Sequence, residues 1–484
     1  MKKKNILVLF SLFIFMASCH DRLDIIQDNR LSASNMWQDE EDLKSATYGA
    51  YYYLRNTMKT NVIYWGEYRN GLWGPGTHGT LLNNNQADVV SATMSATNPY
   101  ASWTNLYTTI NLVNLIIKYG QNMEINEEAR NFALSNAYFI RAYTYFWIGR
   151  IWGDAPLALE GFESTSQDLY LHRSPQADVF NQVESDLVAA EQFLTGTGDK
   201  TILTPAALAM LKADFGLWMY RIQNGGDKYL TYAESAISSL SLNPSRLENE
   251  FSAIFSPSNK RGKEIIFVIP NEYGESEGGF PSQHTWNRGY IDPAYANTEV
   301  PIGENQWWLY TDDYINIITS DPTDIRIPVT YGHGPYGTGG LEVRWANKFV
   351  GQMISGTRVL DSDIVIYRYA QAYLFDAEIK YYRKNYTGAL NSLGVITNRA
   401  YSNINYYNDE TDSAVLEAIV TENIKEFASE ANTWWTLIRT DKVWDYNKSL
   451  ASQKSKKNIL LWPITQSALN RNYNLAQTEG WQGQ

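Results

Sequence analysis

The single cysteine of this chain constrains its fold most strongly. Cys19 is the only cysteine among 484 residues, so no disulfide can form within the chain. A chain that must be stable without disulfides needs a large hydrophobic core. The composition supplies one, because 44% of the residues are hydrophobic and 14% are aromatic. We therefore expect a large fold that is stabilised by buried side chains.

The residues before Cys19 have the pattern of a bacterial secretory leader. Three lysines follow the first methionine, residues 6–16 are apolar apart from one serine, and two small residues precede the cysteine. This order is typical of a leader that is cut off before the cysteine. We expect residues 1–18 to be a lipoprotein signal peptide and Cys19 to be the site of lipidation. A plain secreted protein with an unused cysteine is the alternative.

The charge of the chain disfavours two classes of partner. The formal net charge is −12 at pH 7. Nucleic acid is disfavoured as a partner, because phosphate binding requires a basic surface, and so is an anionic membrane bound through a basic face. No second apolar run reaches the about 20 residues that span a bilayer. We expect the lipid at Cys19 to be the only membrane contact.

Helical periodicity dominates the chain outside its middle. Apolar residues recur at steps of three and four, which is typical of amphipathic helices. Thr204 and Pro205 form a helix start, and the two glycines at 225 and 226 form a stop. The predicted helices comprise residues 39–58, 103–119, 127–152, 177–194, 205–223, 229–240, 364–383, 387–401 and 413–445.

Two pairs of these helices follow the same plan. In each pair a tyrosine (Tyr229, Tyr386) lies at the start of the second helix, and an alanine followed by an aliphatic residue comes next. Both pairs resemble the helix–turn–helix unit of tetratricopeptide repeats, in which small residues let the helices approach closely. Generic helical hairpins are the alternative.

The pattern changes between residues 244 and 360. Glycine, proline, asparagine and aromatic residues replace the helical periodicity, and only residues 264–269 and 342–349 look like short strands. An irregular stretch of this length is usually functional or disordered, and its aromatic content disfavours disorder. We expect one mostly α-helical domain over 19–484, in which helical hairpins carry a large loop-rich insertion with short strands.

Four segments together resemble a known family. They occur in the order NAYFIRAYTYFWIGRIWGDAPLAL (136–159), TPAALAMLKADFGLWMYR (204–221), YRYAQAYLFDA (367–377) and NILLWPITQSALNRNYNLAQTEGW (458–481). Behind a lipoprotein leader, they closely resemble the SusD/RagB family of outer-membrane lipoproteins of Bacteroidetes. The helix at 421–445 resembles the characteristic C-terminal helix of that family.

The resemblance implies a fold, a location and a function. Members are mostly α-helical, with four tetratricopeptide-like hairpins that support a variable loop region. They are anchored at the cell surface and cover a TonB-dependent outer-membrane transporter of the SusC type. They bind glycans, and in some cases peptides, for import, and they are not enzymes. For this chain the resemblance therefore implies a glycan-binding lid anchored in the outer membrane through Cys19. A peptide-binding lid of the RagB type is the main alternative.

Candidate binding residues follow from the chemistry of sugars. A neutral sugar has apolar C–H faces ringed by hydroxyl groups, so it binds exposed aromatic rings with polar side chains beside them. Residues 64–74 have this composition, and in many family members a loop in this region contributes to the ligand site. The loop-rich insertion has it too. The candidates are Trp65, Glu67, Arg69, Asn70, Trp73, Trp286, Tyr290, Trp307, Trp308 and Tyr310.

Exposure is the property that these candidates require. Trp307 and Trp308 are adjacent, and neighbours on a strand point to opposite faces, so we expect at least one to be exposed. For Trp73 we expect that replacement by alanine abolishes glycan binding and leaves the thermal stability nearly unchanged. Packing of the aromatic rings in a small core beneath the loops is the alternative.

Two further pairs of charged residues have more than one interpretation. Arg344 and Lys348 would share one face of a strand and suit an acidic or sulfated ligand, although a solvated strand face is favoured. Asp361 and Asp363 would suit a structural calcium ion, although a helix N-cap before Ile364 is favoured. No other cofactor is predicted, since none of the five histidines has the spacing of paired zinc ligands.

Two enzyme motifs occur in contexts that do not fit their chemistry. Residues 274–278 match the G-x-S-x-G nucleophile elbow, but prolines at 270 and 281 leave no room for the required helix. Residues 332–337 match G-x-G-x-x-G, again without the helix that would bind a pyrophosphate. A surface glycoside hydrolase is a less favoured alternative, because two carboxylates across a cleft are enough for that reaction.

Overall fold

Helices dominate the part of the chain that the structure describes. A computed structural model describes residues 36–76, 84–196, 198–275, 278–287, 302–303, 306–336 and 341–482. The proposed leader, Cys19, Tyr290 and the side chain of Trp286 lie outside this description. None of the described helices is long and apolar enough to cross a membrane.

The first helix shows how the sequence sets the start of an element. The carboxylate of Asp39 accepts hydrogen bonds from the backbone amides of Glu41 and Asp42, both at 3.0 Å, which caps the helix. The acidic first turn also suits the positive end of the helix dipole. The helices of the first half are α1 (Glu40–Gly66), α2 (Asn84–Ser91), α3 (Thr104–Gly120), α4 (Glu127–Trp152), α5 (Gln176–Gln192), α6 (Pro205–Arg221) and α7 (Asp227–Ser239).

Helical hairpins form the scaffold, as predicted. α4 packs against α5, and α6 packs against α7. At Gly216 a Cβ atom would come within 2.9 Å of the Ala233 Cβ, so the glycine allows α6 and α7 their close approach. The second half repeats the plan, with α10 against α11. Its helices are α8 (Asp312–Ile318), α9 (Ile327–Thr330), α10 (Tyr369–Tyr382), α11 (Tyr386–Tyr401), α12 (Asp412–Glu426), α13 (Thr433–Arg439), α14 (Val443–Tyr446), α15 (Lys448–Ala451) and α16 (Gln466–Arg471).

Short strands pair only in twos within the described residues. The pairs β1–β7, β2–β3, β4–β12, β8–β9 and β10–β11 are antiparallel, and β5–β6 is parallel. The strands are β1 (Trp73–Pro75), β2 (Ala155–Pro156), β3 (Arg173–Ser174), β4 (Ile265–Ile269), β5 (Trp286–Asn287), β6 (Ile302–Gly303), β7 (Trp308–Tyr310), β8 (Tyr331–Tyr336), β9 (Leu341–Ala346), β10 (Gln352–Ile354), β11 (Thr357–Val359) and β12 (Ile364–Arg368).

The helix predicted over 364–383 is wrong in its first five residues. These residues form β12, which pairs with β4, and α10 begins only at Tyr369. A short apolar run fits a buried strand and a buried helix equally well, so the distant partner β4 decides between them. Asp363 therefore caps no helix. Its carboxylate accepts hydrogen bonds from the backbone amide of Asn271 at 2.9 Å and from Arg261 Nε at 3.1 Å.

The helix predicted over 413–445 is also interrupted. α12 ends at Glu426, and α13 begins at Thr433. Between them Ser429 and Ala431 have φ angles of 68° and 57°, a left-handed conformation that a continuous helix does not contain. The break lets Glu430 pair with Arg368, whose Nε lies 2.8 Å from the Glu430 Oε2.

A buried ion network connects β12 to α12. Arg368 Nη1 donates to Glu264 at 2.9 Å and to Glu426 at 2.6 Å, with all three side chains out of contact with solvent. Lys348 belongs to the same network, since its Nζ donates to Glu430 at 2.7 Å. Both interpretations of Lys348 are therefore wrong, because β9 ends at Ala346 and the ammonium group is buried.

Potential metal ligands do not cluster in the described ranges. No group of three or more histidine, cysteine, aspartate or glutamate side chains there has the arrangement of a metal site. Of the two aspartates considered for calcium, Asp361 accepts a hydrogen bond from Gln352 Nε2 at 2.7 Å, and Asp363 is held as described above.

Candidate ligand-binding face

The structure brings the two candidate segments together. The first contains the last turn of α1, a 3-10 turn at Tyr68–Asn70 and then β1. β1 pairs with β7, so that Trp73 lies opposite Tyr310 and Pro75 lies opposite Trp308. Residues far apart in sequence thus form one loop-rich region. We call it the aromatic face, and it comprises residues 64–76 and 306–310.

Trp73 lies inside this face and not on it. Only 1% of the residue is exposed. Its ring stacks on His284 with centroids 4.7 Å apart and planes 25° apart, and it packs against Tyr310 at 4.7 Å and Tyr68 at 5.1 Å. The prediction that Trp73 is an exposed stacking platform is wrong, because Tyr68 of the same segment and two rings from distant parts of the chain cover it.

Glu67 is a buried carboxylate beneath the same cluster. Its Oε1 accepts hydrogen bonds from Trp73 Nε1 at 3.4 Å, Tyr314 Oη at 3.2 Å and the Ser429 amide at 3.3 Å. Its Oε2 is buried without a hydrogen-bond partner in the described structure. Burial raises the pKa of Glu67 from 4.5 to about 7. The Glu67 carboxylate therefore accepts hydrogen bonds inside the protein and has no exposed atom that could contact a ligand.

Arg69 anchors the aromatic face to the C-terminal part of the chain. Its guanidinium group donates to the carbonyl oxygens of Ile459 at 2.7 Å and Leu460 at 2.9 Å. It also lies over the rings of Trp434 and Trp462, at 5.0 and 5.6 Å from their centroids. Burial lowers the pKa of Arg69 to about 9. The prediction of an exposed ligand contact is wrong here, because the whole side chain is buried.

Trp65 and Asn70 are buried for similar reasons. The indole N–H of Trp65 donates to the carbonyl oxygen of Tyr100 at 3.0 Å, and its ring packs against Trp152. The side chain of Asn70 accepts a hydrogen bond from the Leu72 amide at 2.8 Å and so shapes the turn before β1. Neither residue offers surface to a ligand in this conformation.

The two adjacent tryptophans differ in burial, but neither has the full exposure that the sequence predicts. Trp308 is buried and stacks on Tyr68 with centroids 4.7 Å apart, and Tyr310 is buried with its hydroxyl 2.6 Å from Ser429 Oγ. Trp307 lies just before β7 and is half-buried. Its indole nitrogen has no hydrogen-bond partner among the described residues. Of the candidate side chains that the structure describes, Trp307 alone keeps accessible surface.

Sequence analysis missed three members of the aromatic cluster, namely Tyr68, His284 and Tyr314. Tyr68 Oη lies 2.8 Å from His284 Nε2, and burial lowers the pKa of His284 to about 3, so the ring is neutral. Tyr68 lies within the candidate segment and carried the same aromatic signal as its neighbours. No spacing signal connects His284 or Tyr314 to it, since more than 200 residues separate them.

The residue before Trp307 connects β7 to β9, which carries an exposed ion pair. The amide of the neighbouring Gln306 donates to the carbonyl oxygen of Arg344 at 2.6 Å. The guanidinium group of Arg344 forms an ion pair with Asp312 at 3.0 Å, and both side chains are largely exposed. An aromatic ring beside exposed charged groups can bind a polar ligand that has one apolar face.

Two family models match the chain. The model described as "Starch-binding associating with outer membrane" matches residues 22–212, and the model described as "SusD family" matches residues 327–481. The two matches fall on either side of the middle of the loop-rich insertion. The aromatic face combines residues from within the first match with residues between the two.

Whole-length relatives agree with these matches. The SusD-like protein P38 of Formosa agariphila is 24% identical over 506 residues, which covers 96% of this chain and 97% of that protein. The structure of NanU from B. fragilis superimposes with a TM-score of 0.81 at 25% identity, over 94% of this chain and 100% of that one. A SusD superfamily protein from Bacteroides fragilis gives 0.78 at 25% identity, over 92% and 100%. The chain belongs to the SusD/RagB family.

Proposed function

We propose that this protein binds oligosaccharides or polysaccharides at the cell surface and passes them to a SusC-type TonB-dependent transporter in the outer membrane. It carries out no chemistry on them. The observation that carries the proposal is family membership at both ends of the chain, where one family model is described as starch-binding and associated with the outer membrane. Cys19 is the proposed lipid anchor that keeps the protein at the membrane.

The proposed contact surface is the accessible side of the aromatic face. Trp307 is the proposed stacking platform, and Trp286 and Tyr290, whose side chains lie outside the described residues, stay proposed contacts. In this proposal the sugar stacks on the Trp307 ring, and hydroxyl groups bind the exposed Arg344–Asp312 pair. The buried cluster around Trp73 acts as a rigid support, because a contact residue binds well only when its own rotamer is fixed by packing.

Calorimetric titration tests the proposal. The protein is titrated with a panel of soluble neutral glycans and with peptide mixtures, and the same samples are analysed for cleavage products. Saturable binding of a glycan without products is the expected result. Binding of peptides alone would favour the RagB-type alternative, and product formation would favour a glycoside hydrolase. Either outcome overturns the proposal.

A pair of tryptophan variants locates the site. Trp307→Ala is expected to lower the glycan affinity at least tenfold, because it removes the stacking surface. Trp444→Ala is the matched control, since Trp444 is also half-buried but lies on α14 with its indole N–H bonded to Asp441 at 2.8 Å. Equal affinities of the two variants would exclude Trp307 as the contact.

The partner and the anchor have their own tests. Purification from outer membranes in mild detergent is expected to recover a large TonB-dependent transporter together with this protein. Mass spectrometry of the purified protein is expected to show a chain that begins at a lipidated Cys19. Recovery of the protein alone, or of an unmodified cysteine, would contradict the respective assignment.

A further inference from the structure

A second surface carries exposed aromatic rings, away from the aromatic face. The segment 168–172, which leads into β3, lies along residues 472–474 near the end of the described chain. Asn472 Nδ2 donates to the carbonyl oxygen of Leu171 at 2.8 Å, and Asn474 Nδ2 donates to that of Tyr170 at 2.5 Å. We call this pair of segments the C-terminal ledge.

The ledge presents two adjacent tyrosine rings to solvent. Tyr473 is 78% exposed and Tyr170 is 44% exposed. Their ring centroids are 5.1 Å apart, and the planes are inclined by 35°. Tyr473 is the most exposed of the large hydrophobic side chains in the described ranges. Aromatic rings that are held together but left uncovered are typical of a binding surface.

A polar cavity of about 400 Å³ is lined by sequence neighbours of the two tyrosines. Its lining includes His172 and Asn474, together with Asp154. Leu169 and Leu171 line a separate, more apolar cavity. The volume lies in the range of small-ligand sites. Exposed aromatic rings and a polar cavity thus belong to the same pair of chain segments.

The ledge is rigid. Arg173 Nε and Nη1 donate to the carbonyl oxygens of Asp154 at 2.8 Å and Ala476 at 2.9 Å, and Nη2 donates to that of Trp152 at 3.1 Å. These bonds join α4, β3 and the C-terminal segment. The Arg173 guanidinium group already donates its hydrogen bonds to backbone carbonyl oxygens. It therefore shapes the cavity and is not available to bind an acidic ligand.

Buried tryptophans separate the ledge from the aromatic face. Trp152 lines the polar cavity and packs on its inner side against Trp65 at 5.6 Å and Trp103 at 5.8 Å. Trp152 and Trp65 thus lie between the polar cavity and the core beneath the aromatic face.

We propose that the C-terminal ledge is a second binding site for neutral saccharides. One sugar ring stacks on Tyr473 and Tyr170, and a neighbouring sugar places its hydroxyl groups near Asp154, His172 and Asn474. A neutral ligand fits better than a uronate or sulfated one, since Asp154 and Glu479 line the cavity and Arg173 is already engaged. The inference rests on the proposed glycan-binding function. Two sites on one chain increase the avidity for a polymer more than for a short oligosaccharide.

Variants of the full-length chain in detergent test the second site. Tyr473→Ala, the double variant with Tyr170→Ala, and Asp154→Asn are titrated with maltoheptaose, xylohexaose, mannohexaose and their parent polymers. The double variant is expected to lose one binding site, with affinity for the preferred polymer falling about tenfold. Tyr52→Ala is the matched control, since Tyr52 is 51% exposed on α1. Thermal unfolding checks that each variant is folded, and Asp154→Asn tests the cavity without touching the rings.

The outcomes separate this inference from the proposed function. Binding that is lost only in Trp307→Ala, with the ledge variants unchanged, overturns the second site and leaves the proposed function standing. Loss of transporter association in Tyr473→Ala, with glycan binding unchanged, shows that the ledge is a protein contact and also overturns it. Failure of the wild-type chain to bind any saccharide overturns both.

Discussion

The indole N–H of Trp73 points at the carboxylate of Glu67, with 3.4 Å between Nε1 and Oε1, and neither residue is more than 1% exposed. The contact joins the turn after α1 to the first residue of β1. Two of the candidate ligand-binding side chains therefore contact each other in the protein interior. Both side chains act within the protein interior and present no surface to a ligand.

Trp73→Ala is expected to destabilise the protein by about 3–5 kcal/mol, the usual cost of removing a large buried aromatic side chain. The substitution leaves a cavity beside His284 and Tyr310. Urea unfolding of the variant and the wild type measures the difference. Trp444→Ala is the control and should cost clearly less. A small loss for Trp73→Ala together with lost glycan binding would restore the sequence-based interpretation of an exposed platform.

Glu67→Gln is expected to change the pH dependence of stability. Because burial raises the pKa of Glu67 to about 7, the neutral carboxyl is favoured in the folded state. The stabilisation from this group is complete below pH 4.5 and is lost as the pH rises through 7. Ionisation at pH 8 therefore costs the wild type up to about 3 kcal/mol that the variant does not lose.

Unfolding free energies at pH 5 and pH 8 measure this effect. The free energy of unfolding of the variant, relative to that of the wild type, should be higher at pH 8 than at pH 5. Glu124→Gln, at an exposed position before α4, is the control and should leave the pH profile of the wild type unchanged. Parallel profiles for Glu67→Gln and the wild type would contradict a neutral Glu67.

Glu426→Gln is expected to weaken the buried ion network. Burial alone would raise the pKa of Glu426, but Arg399, Arg368 and Arg326 outweigh it and hold the pKa well below its ordinary range. The stabilisation is therefore present above pH 4.5 and is lost as the pH falls through the lower folded-state value. At pH 7 the variant should lose about 3–5 kcal/mol, because three buried cations lose a charged partner.

Urea unfolding of this variant at pH 7 and pH 4 provides the measurement. The difference in free energy of unfolding between the variant and the wild type should be smaller at pH 4 than at pH 7. Glu417→Gln is the control on the same helix, since the Glu417 side chain is 53% exposed and forms a surface ion pair with Lys442 at 3.2 Å. Exposed ion pairs contribute little to stability, so Glu417→Gln should change the free energy of unfolding only slightly. An equal difference between Glu426→Gln and the wild type at both pH values would exclude an effect of the Glu426 charge.

Gly66→Ala is expected to destabilise the end of α1, although alanine usually favours a helix. A Cβ atom there would lie 2.1 Å from the carbonyl oxygen of Ala431, a backbone atom in the break between α12 and α13. The overpacking should cost about 1–3 kcal/mol. Gly74→Ala is the control, because its nearest neighbour would be the Thr311 methyl group at 3.4 Å. Equal melting temperatures of the two variants would show that the close approach is not needed.

The sequence alone determined the helical scaffold. The bounds of α4 match the predicted 127–152, and α6 begins at Pro205 with the Thr204 hydroxyl bonded to the Ala207 amide, as the capping signal predicts. These features depend on neighbours three or four residues apart, so local sequence contains the information needed. The family motifs lie in the same regions, which is why the family could also be identified.

Tertiary structure decided which aromatic rings are exposed and where a strand replaces a helix. Trp73 and Trp307 have the same chemistry, yet His284 and Tyr310 bury the first while the second remains half-buried. Residues 364–368 become a strand because β4 pairs with them from about 100 positions away. Side-chain exposure and strand pairing depend on partners that are distant in sequence. The local pattern of apolar residues therefore cannot predict either of them.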